Sequence, residues 1–130
     1  MTTQVTINTT KHNEVVDITE HINEILSKSE SENGLVNITV LHTTCALTTA
    51  DLDPGTDEDL LEAITKIFPN GNWRHGHNPN HVGEHIMSSI IGMSTTLPYK
   101  NKKLILGTWQ RVILVELSGP RERNLIVSTT

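Results

Sequence analysis

The segment from residue 108 to residue 117 constrains the fold of this chain more than any other. Its residues alternate with the two-residue period of a β-strand, and aliphatic side chains stand on both faces: Ile113 and Val115 on one, Val112 and Leu114 on the other. A strand with two apolar faces has to be covered on both sides. We therefore expect one side to be covered by the fold itself, and we consider another subunit as the cover for the second.

The rest of the chain mixes two-residue and 3.6-residue apolar periods, which is typical of a protein with both strands and helices. Strands are predicted at residues 2–8, 14–18, 34–42, 45–48, 103–107, 108–117 and 124–128. Helices are predicted to begin near residues 17–20, 53–54 and 78–80, and to end near Gly34, Gly71 and Gly92. This order of strands, helix, strands, two helices and strands predicts an α+β fold, a mainly antiparallel β-sandwich with about three helices.

Length and composition narrow the class of protein. The 130 residues fit a single domain, residues 1–130, and the net charge of −5 without a basic stripe argues against nucleic-acid binding. No apolar run approaches the roughly 18 residues of a membrane helix, and the N-terminus lacks a signal-peptide pattern. We expect a cytoplasmic protein with no membrane partner. The single cysteine, Cys45, is expected to be a small buried residue.

Histidines are concentrated in one short stretch that contains His75, His77, His81 and His85. His81 and His85 are four residues apart, so they share one face of a helix. A catalytic Zn²⁺ takes three protein ligands, and His42, at the end of an alternating strand, is a natural third. The pattern indicates a metal or acid–base site, and a polar, histidine-rich loop without such a role is the alternative.

Other candidates flank two predicted strands. Thr43 and Thr44 follow His42 and offer two hydroxyl donors to an anion. Asp51 is a candidate general base or a partner that orients a histidine, whereas Asp53 is explained as a helix N-cap.

Two turns near the C-terminus add further candidates. Trp109 can form the wall of a pocket and Gln110 can donate and accept hydrogen bonds, although a hairpin turn with a core Trp explains Trp109 equally well. Arg121 and Arg123 lie in a turn that would display two guanidinium groups, which bind phosphate or carboxylate. A solvated hairpin end is the alternative for the two arginines.

Five short motifs together resemble the YjbQ-like family, and they recur in the same order from about residue 3 to the C-terminus. They are His42-Thr43-Thr44, Arg74-His75, Glu84-His85-Ile86 with the following Ser88-Ser89-Ile90-Ile91-Gly92, Gly107-Thr108-Trp109-Gln110, and Gly119-Pro120-Arg121. The resemblance implies an α+β sandwich that assembles as a homotrimer. It also implies a site of three histidines, here His42, His75 and His85, that is able to hold a metal ion.

Some members of that family carry the name secondary thiamine-phosphate synthase, for joining a pyrimidine diphosphate to a thiazole phosphate. This chain departs from the family pattern at Asp51-Leu52, where an acid–amide pair is usual, and it has His77 and His81 as additional candidate ligands. These departures leave open which residues would bind the metal ion.

The leading hypothesis is a weak or promiscuous transferase that acts on a small phosphorylated molecule. His42, Asp51 and His85 are its catalytic candidates, and its candidate substrate-binding residues are Thr43, Thr44, Trp109, Gln110, Arg121 and Arg123. A divalent metal, Zn²⁺ first, is the expected cofactor and no organic cofactor is expected. A metal-dependent hydrolase and a non-catalytic, metal-binding trimer are the alternatives.

Overall fold

Strands make up most of the regular structure in the computed structural model, which describes residues 1–68, 74 and 82–130. The strands are β1 (Thr2–Asn8), β2 (Glu14–Asp17), β3 (Gly34–Val40), β4 (Cys45–Ala50), β5 (Ser94–Lys100), β6 (Lys103–Leu104), β7 (Arg111–Glu116) and β8 (Glu122–Thr129). The helices are α1 (Thr19–Leu26), α2 (Thr56–Ile67) and α3 (Val82–Ile91). None of these helices is long and apolar enough to cross a membrane.

The strands form two sheets. One has five strands in the order β1-β8-β3-β5-β6, and the other has three in the order β2-β7-β4. Every strand pair among the described residues is antiparallel. The prediction of an α+β fold with three helices and mainly antiparallel strands is confirmed.

The main core lies between the two sheets. Aliphatic residues from alternate positions of β3 and β8 meet Val112 and Leu114 of β7, and α1 adds Ile22 and Leu26. All four of these residues are essentially inaccessible to solvent. Because most of this core is Ile, Leu and Val, the fold requires few aromatic side chains.

A second core covers the other face of the three-stranded sheet. Ile113 and Val115 of β7 pack there against Ile64 of α2 and Met87 of α3. Both faces of β7 are therefore covered by this chain itself, as the sequence pattern requires, and neither needs a second subunit. A second subunit is not needed because α2 and α3 cover the second face of β7 with apolar residues.

The five-stranded sheet presents its other side outward. Residues of four adjacent strands alternate between the main core and this side, which we call the outer face. The outer face consists of Thr2, Gln4, Thr6 and Asn8 on β1, Glu122, Asn124, Ile126 and Ser128 on β8, Leu35, Asn37 and Thr39 on β3, and Ser94, Thr96, Pro98 and Lys100 on β5. The main contacts of the helices are with β2, β4, β6 and β7 instead.

Two local features differ from the prediction for identifiable reasons. Helix α1 ends at Leu26 instead of near Gly34, because Ser27 and Ser29 turn their hydroxyls onto the carbonyls of Glu24 and Leu26 and compete with helix continuation. Strand β5, which the sequence pattern did not reveal, pairs with β3 along its length. It has Pro and Thr at outward positions, so its apolar alternation is weak.

The packed face of α3 also differs from the prediction. The expected face contained Ile86, Ser89 and Ile90, yet Ile90 is 64% exposed. The buried face contains Met87 and Ser88, because the Ser88 hydroxyl donates a 2.6 Å hydrogen bond to the carbonyl of Cys45. Because the polar Ser88 lies on the packed face, the apolar residues by themselves indicate the wrong face of α3. The predicted stop at Gly92 is confirmed, with φ of 115°.

Candidate functional site

A cleft of about 490 Å³ lies where the β3–β4 loop meets the start of β8 and one side of α3. Its walls are formed by Leu41, His42, Thr43, Thr44, His85, Arg121, Glu122 and Arg123. The fold therefore brings together six of the residues singled out from the sequence, although they come from three separate segments. We call this site the histidine cleft.

His42 is held by the backbone of β8. The amide N–H of Asn124 donates to Nε2 of His42 across 2.8 Å, so Nε2 is an acceptor and the ring proton is on Nδ1. Burial lowers the pKa of His42, and the positive charge of Arg123 lowers it further, against a smaller opposite effect of Glu116. The imidazole is therefore neutral at pH 7, and it can donate a hydrogen bond through Nδ1.

Arg123 is not displayed on a turn, as the sequence analysis expected. Its side chain is 2% exposed, and it forms a buried ion pair with Glu116, which is inaccessible. Nε of Arg123 donates to Oε1 of Glu116 at 2.8 Å, and Nη2 donates to the Thr44 hydroxyl at 2.8 Å. Its alternation with Leu125 and Val127 places Arg123 on the inward side of β8. Arg123 thus holds the cleft loop in place at Thr44, and its charge is balanced by the carboxylate of Glu116.

Glu116 is the centre of this buried network, although it was not among the candidate residues singled out from the sequence. Its carboxylate accepts hydrogen bonds from the Thr9 hydroxyl at 2.7 Å and from the amides of Leu117 and Ser118. Burial by itself raises the pKa of Glu116, but the bonds from Arg123, Thr9 and Ser118 outweigh burial and lower the pKa below its ordinary value. The available signal was a charged residue directly after four consecutive apolar residues, Val112 to Val115, on a strand with two apolar faces.

The backbone around this network is closely packed. A Cβ atom on Gly119 would lie 2.2 Å from the carbonyl oxygen of Lys11 and 2.8 Å from Cγ of Glu116. Only glycine fits between the β1–β2 loop and Glu116 without a shift of the backbone. The β7–β8 turn is thereby held against the N-terminal segment.

Arg121 is the exposed guanidinium of the histidine cleft. Its Nε donates to the carbonyl of Ser118 at 2.6 Å, and its backbone N–H donates to the Thr9 hydroxyl at 2.9 Å. Within residues 1–68, 74 and 82–130, Arg121 takes part in no ion pair. Its charge is therefore available to an anion in the cleft, although the neighbouring Glu122 lies on the same wall.

The α3 side of the cleft is provided by His85. The preceding residue, Glu84, is buried, and its Oε1 lies 3.1 Å from Nε2 of His12 in the β1–β2 loop. His75, His77 and His81 lie outside the described residues. Among the residues that the structure describes, no three His, Cys, Asp or Glu side chains form a group that could hold a metal ion.

Asp51 and Trp109 lie at the other end of the three-stranded sheet. Cys45, beside the cleft, pairs with Glu116, whereas Ala50 pairs with Arg111. Five residue steps along β4 separate the two ends by about 17 Å. Asp51 and Trp109 share a smaller cleft of about 270 Å³ at the far end. Within one chain, Asp51 is therefore out of reach of His42.

The remaining candidates near this far end have structural partners. Oδ1 of Asp51 accepts the amide of Asp53 at 2.9 Å, a duty that the sequence analysis did not foresee. Asp53 is not the N-cap of α2, because the helix begins two residues later than predicted, at Thr56, with Gly55 at the N-cap position. Gln110 closes its turn by accepting the amide of Gly107 at 2.7 Å, and Trp109 is 68% exposed instead of packed in the core.

Comparison with known families decides what kind of protein this is. The model of the family described as UPF0047 protein YjbQ-like matches residues 3–130. The chain belongs to the UPF0047 (YjbQ-like) family. A UPF0047 protein of Archaeoglobus fulgidus is 36% identical over 95% of this chain and 97% of its own length.

Solved structures agree with this membership. A hypothetical protein of Aeropyrum pernix K1 is 35% identical and superposes with a TM-score of 0.92 over 100% of this chain and 98% of its own. A YbjQ-like protein of unknown function from Sulfolobus solfataricus P2 is 33% identical, with a TM-score of 0.92 over 99% of this chain and 95% of its own. The UPF0047 fold is thus shared along the whole chain, in a family whose function is unknown.

Proposed function

We propose that the histidine cleft binds the phosphate or diphosphate group of a small molecule, with Arg121 and the Nδ1–H of His42 as donors. The observation that carries the proposal is the hydrogen bond from the Asn124 amide to Nε2 of His42. This bond leaves the neutral imidazole with a donor at Nδ1, beside the guanidinium of Arg121, which has no ion-pair partner among the described residues.

The other walls of the cleft support an anionic ligand. Thr43 and Thr44 add two hydroxyls on the loop that carries His42. Guanidinium groups favour phosphate because their planar donors match two phosphate oxygens at once. A volume of about 490 Å³ is in the range of small-molecule pockets.

Displacement of diphosphate is the reaction class that we propose for such a site. In the reaction of family members named secondary thiamine-phosphate synthase, the thiazole nitrogen bonds to a carbon of the pyrimidine diphosphate. The bond from that carbon to the diphosphate oxygen breaks, and the electron pair leaves with the diphosphate. Arg121 and His42 would stabilise the charge that develops on the leaving group. His85 would then be the residue that exchanges a proton with the departing diphosphate.

A metal ion on His42, His75 and His85 stays a prediction. The described geometry of His42 does not fit it, because the Asn124 amide occupies the lone pair of Nε2 and the proton occupies Nδ1. Metal binding would require His42 to give up this hydrogen bond. Metal analysis of the untagged protein and of His85→Ala tests the prediction, which stands if one zinc ion per chain is present and is lost in the variant.

The phosphate proposal is tested by calorimetric titration with inorganic diphosphate. Arg121→Gln should weaken binding about tenfold to a hundredfold, because a hydrogen bond to a charged group is lost. Arg111→Gln is the matched control, since Arg111 is a partly exposed arginine at the far end of the three-stranded sheet, paired with Asp17. Equal affinities of wild type and Arg121→Gln, or no binding to the wild type, would contradict the proposal.

We also propose that the protein is a homotrimer, as the family resemblance implies. Light scattering of the untagged chain at micromolar concentration tests this. A mass of three chains is expected, and a mass of one chain would contradict it.

A further inference from the structure

The buried ion pair of Arg123 and Glu116 reaches the histidine cleft at the hydroxyl of Thr44. Nη2 of Arg123 donates to Oγ1 of Thr44 at 2.8 Å and to the carbonyl oxygen of the same residue at 3.1 Å. A guanidinium has N–H donors and no acceptor. The Thr44 hydroxyl therefore accepts a hydrogen bond from Arg123 and cannot donate its own hydrogen to that side chain.

The hydrogen of the Thr44 hydroxyl is available to a ligand. Within the part of the chain that the structure describes, no oxygen or nitrogen atom accepts it. Thr44 is half-buried, and it forms part of the wall of the histidine cleft. Because Arg123 uses the hydroxyl oxygen from the buried side, the open side of the cleft is where an acceptor for this hydrogen can bind.

The backbone of Thr44 is fixed as well as its side chain. Its carbonyl oxygen accepts the amide of Leu117 at 3.1 Å in addition to the bond from Arg123. The next residue, Cys45, begins β4 and pairs with Glu116 of β7. A donor that is ordered before the ligand arrives loses little further entropy when the ligand binds.

The polar groups that hydrogen bonds hold in place in the cleft can all donate to a ligand. They are Nδ1 of His42, the hydroxyl of Thr44 and the guanidinium of Arg121. Two further side chains, Thr43 and Glu122, are exposed on the same wall, and no hydrogen bond to another described residue orients them. The ordered part of the cleft therefore suits a ligand group that only accepts hydrogen bonds.

We infer that Arg123 is a positioning residue of the proposed phosphate site, which holds the Thr44 hydroxyl as a donor to an ionised oxygen of the ligand. The inference rests on the proposed function and adds a residue that acts on the ligand only through another side chain. Hydrogen bonds to ionised oxygens are stronger than those to neutral acceptors. An ammonium or amide N–H at the same place would meet the hydrogen of Thr44 and be rejected.

Calorimetric titration with inorganic diphosphate tests the donor role of Thr44. Thr44→Val keeps the shape of the side chain but removes the donor, so it should weaken binding about tenfold to a hundredfold. Thr44→Ser keeps the hydroxyl and should restore most of the affinity. Thr49→Val is the matched control, because it makes the same change at a half-buried position near the far end of β4, and it should leave the affinity unchanged.

A double-mutant cycle tests the part played by Arg123. Arg123→Lys keeps a positive charge beside Glu116 but lacks the planar donors that reach Thr44. It should weaken diphosphate binding about threefold to tenfold in the wild-type background and less than about twofold in the Thr44→Val background. A residue that only stabilises the fold would lower the affinity by the same factor in both backgrounds. Circular dichroism verifies that each variant is folded.

A crystal structure of the wild-type protein with diphosphate decides the role of Arg123 even where Arg123→Lys does not fold. Oγ1 of Thr44 should lie within hydrogen-bond distance of both Nη2 of Arg123 and a diphosphate oxygen. Diphosphate bound directly to Arg123 would overturn the positioning role. Equal binding by wild type and Thr44→Val, with loss of affinity in Arg121→Gln, overturns the inference alone. Absence of binding to the wild type overturns the proposed function and the inference together.

Discussion

The backbone amide of Asn124 and the imidazole of His42 are joined by a 2.8 Å hydrogen bond in which Nε2 is the acceptor. The carbonyl of Asn124 accepts the amide of Leu41 at 3.1 Å, so one residue of β8 holds two consecutive residues of the cleft loop. Protonation of Nε2 would place two N–H groups against each other and break the bond. The hydrogen bond and the lowered pKa of His42 therefore favour the same neutral form.

The first prediction concerns the pH dependence of stability. The folded state lowers the pKa of His42 below its ordinary value of 6.5, so the unfolded chain takes up the proton first as the pH falls. The contribution of His42 to stability is complete above pH 6.5 and is lost as the pH falls from there towards the folded pKa. Urea unfolding at a series of pH values measures this loss.

The control for this prediction is His42→Gln, whose side-chain oxygen can accept the Asn124 amide and does not titrate. The difference in unfolding free energy between wild type and variant should shrink or change sign as the pH falls below 6.5. A difference that stays constant from pH 7.5 to the acid limit of folding would show that His42 has an ordinary pKa.

The second prediction concerns the buried ion pair. Glu116→Ala should destabilise the protein by about 3–5 kcal/mol, because Arg123 would stay buried without its counter-charge. Glu62→Ala removes one partner of the exposed Glu62–Lys66 pair and should cost less than about 1 kcal/mol. Urea denaturation measures both. Similar costs for the two variants would mean that Glu116 does not hold the cleft loop in place.

Much of the fold could be predicted because apolar residues recur along the sequence at the positions that become buried. The two-sided pattern of β7 predicted two covered faces, and both are covered. The pattern could not show that α2 and α3 of the same chain supply the second cover. The pattern indicated the wrong packed face of α3, because the Ser88 hydroxyl meets its partner, the Cys45 carbonyl, only once the chain is folded.

The candidate site could be predicted only in part, because sequence separation says little about distance in space. His42, His85 and Arg121 line one cleft although they come from three segments. Asp51 is only nine positions after His42, yet β4 carries it to the other end of the sheet. The burial and pairing of Arg123 could not be foreseen, because its partner Glu116 lies on β7 of the other sheet and meets Arg123 only once the two sheets are packed together.

The third prediction is that Cys45 is unreactive in the folded protein. The thiol is inaccessible, and burial raises its pKa to about 11, so almost no thiolate is present near neutral pH. An aromatic disulfide reagent at pH 8 should react at least about a hundredfold more slowly with the native chain than with the chain in denaturant. Rapid stoichiometric reaction of the native protein would show that Cys45 is accessible.

The last prediction concerns Glu122, the acidic residue next to Arg121 in the histidine cleft. Glu122 is exposed on the same wall as Arg121 and opposes any anion that binds there. Glu122→Gln should therefore strengthen diphosphate binding by about threefold to tenfold at low salt, and the gain should decrease as salt screens the charge. Glu58→Gln, on the first turn of α2, removes the same charge away from the cleft and should leave the affinity unchanged. Calorimetric titration at two salt concentrations measures both effects. Equal gains in the two variants would reflect net charge alone, and a loss of affinity in Glu122→Gln would show that diphosphate binds elsewhere.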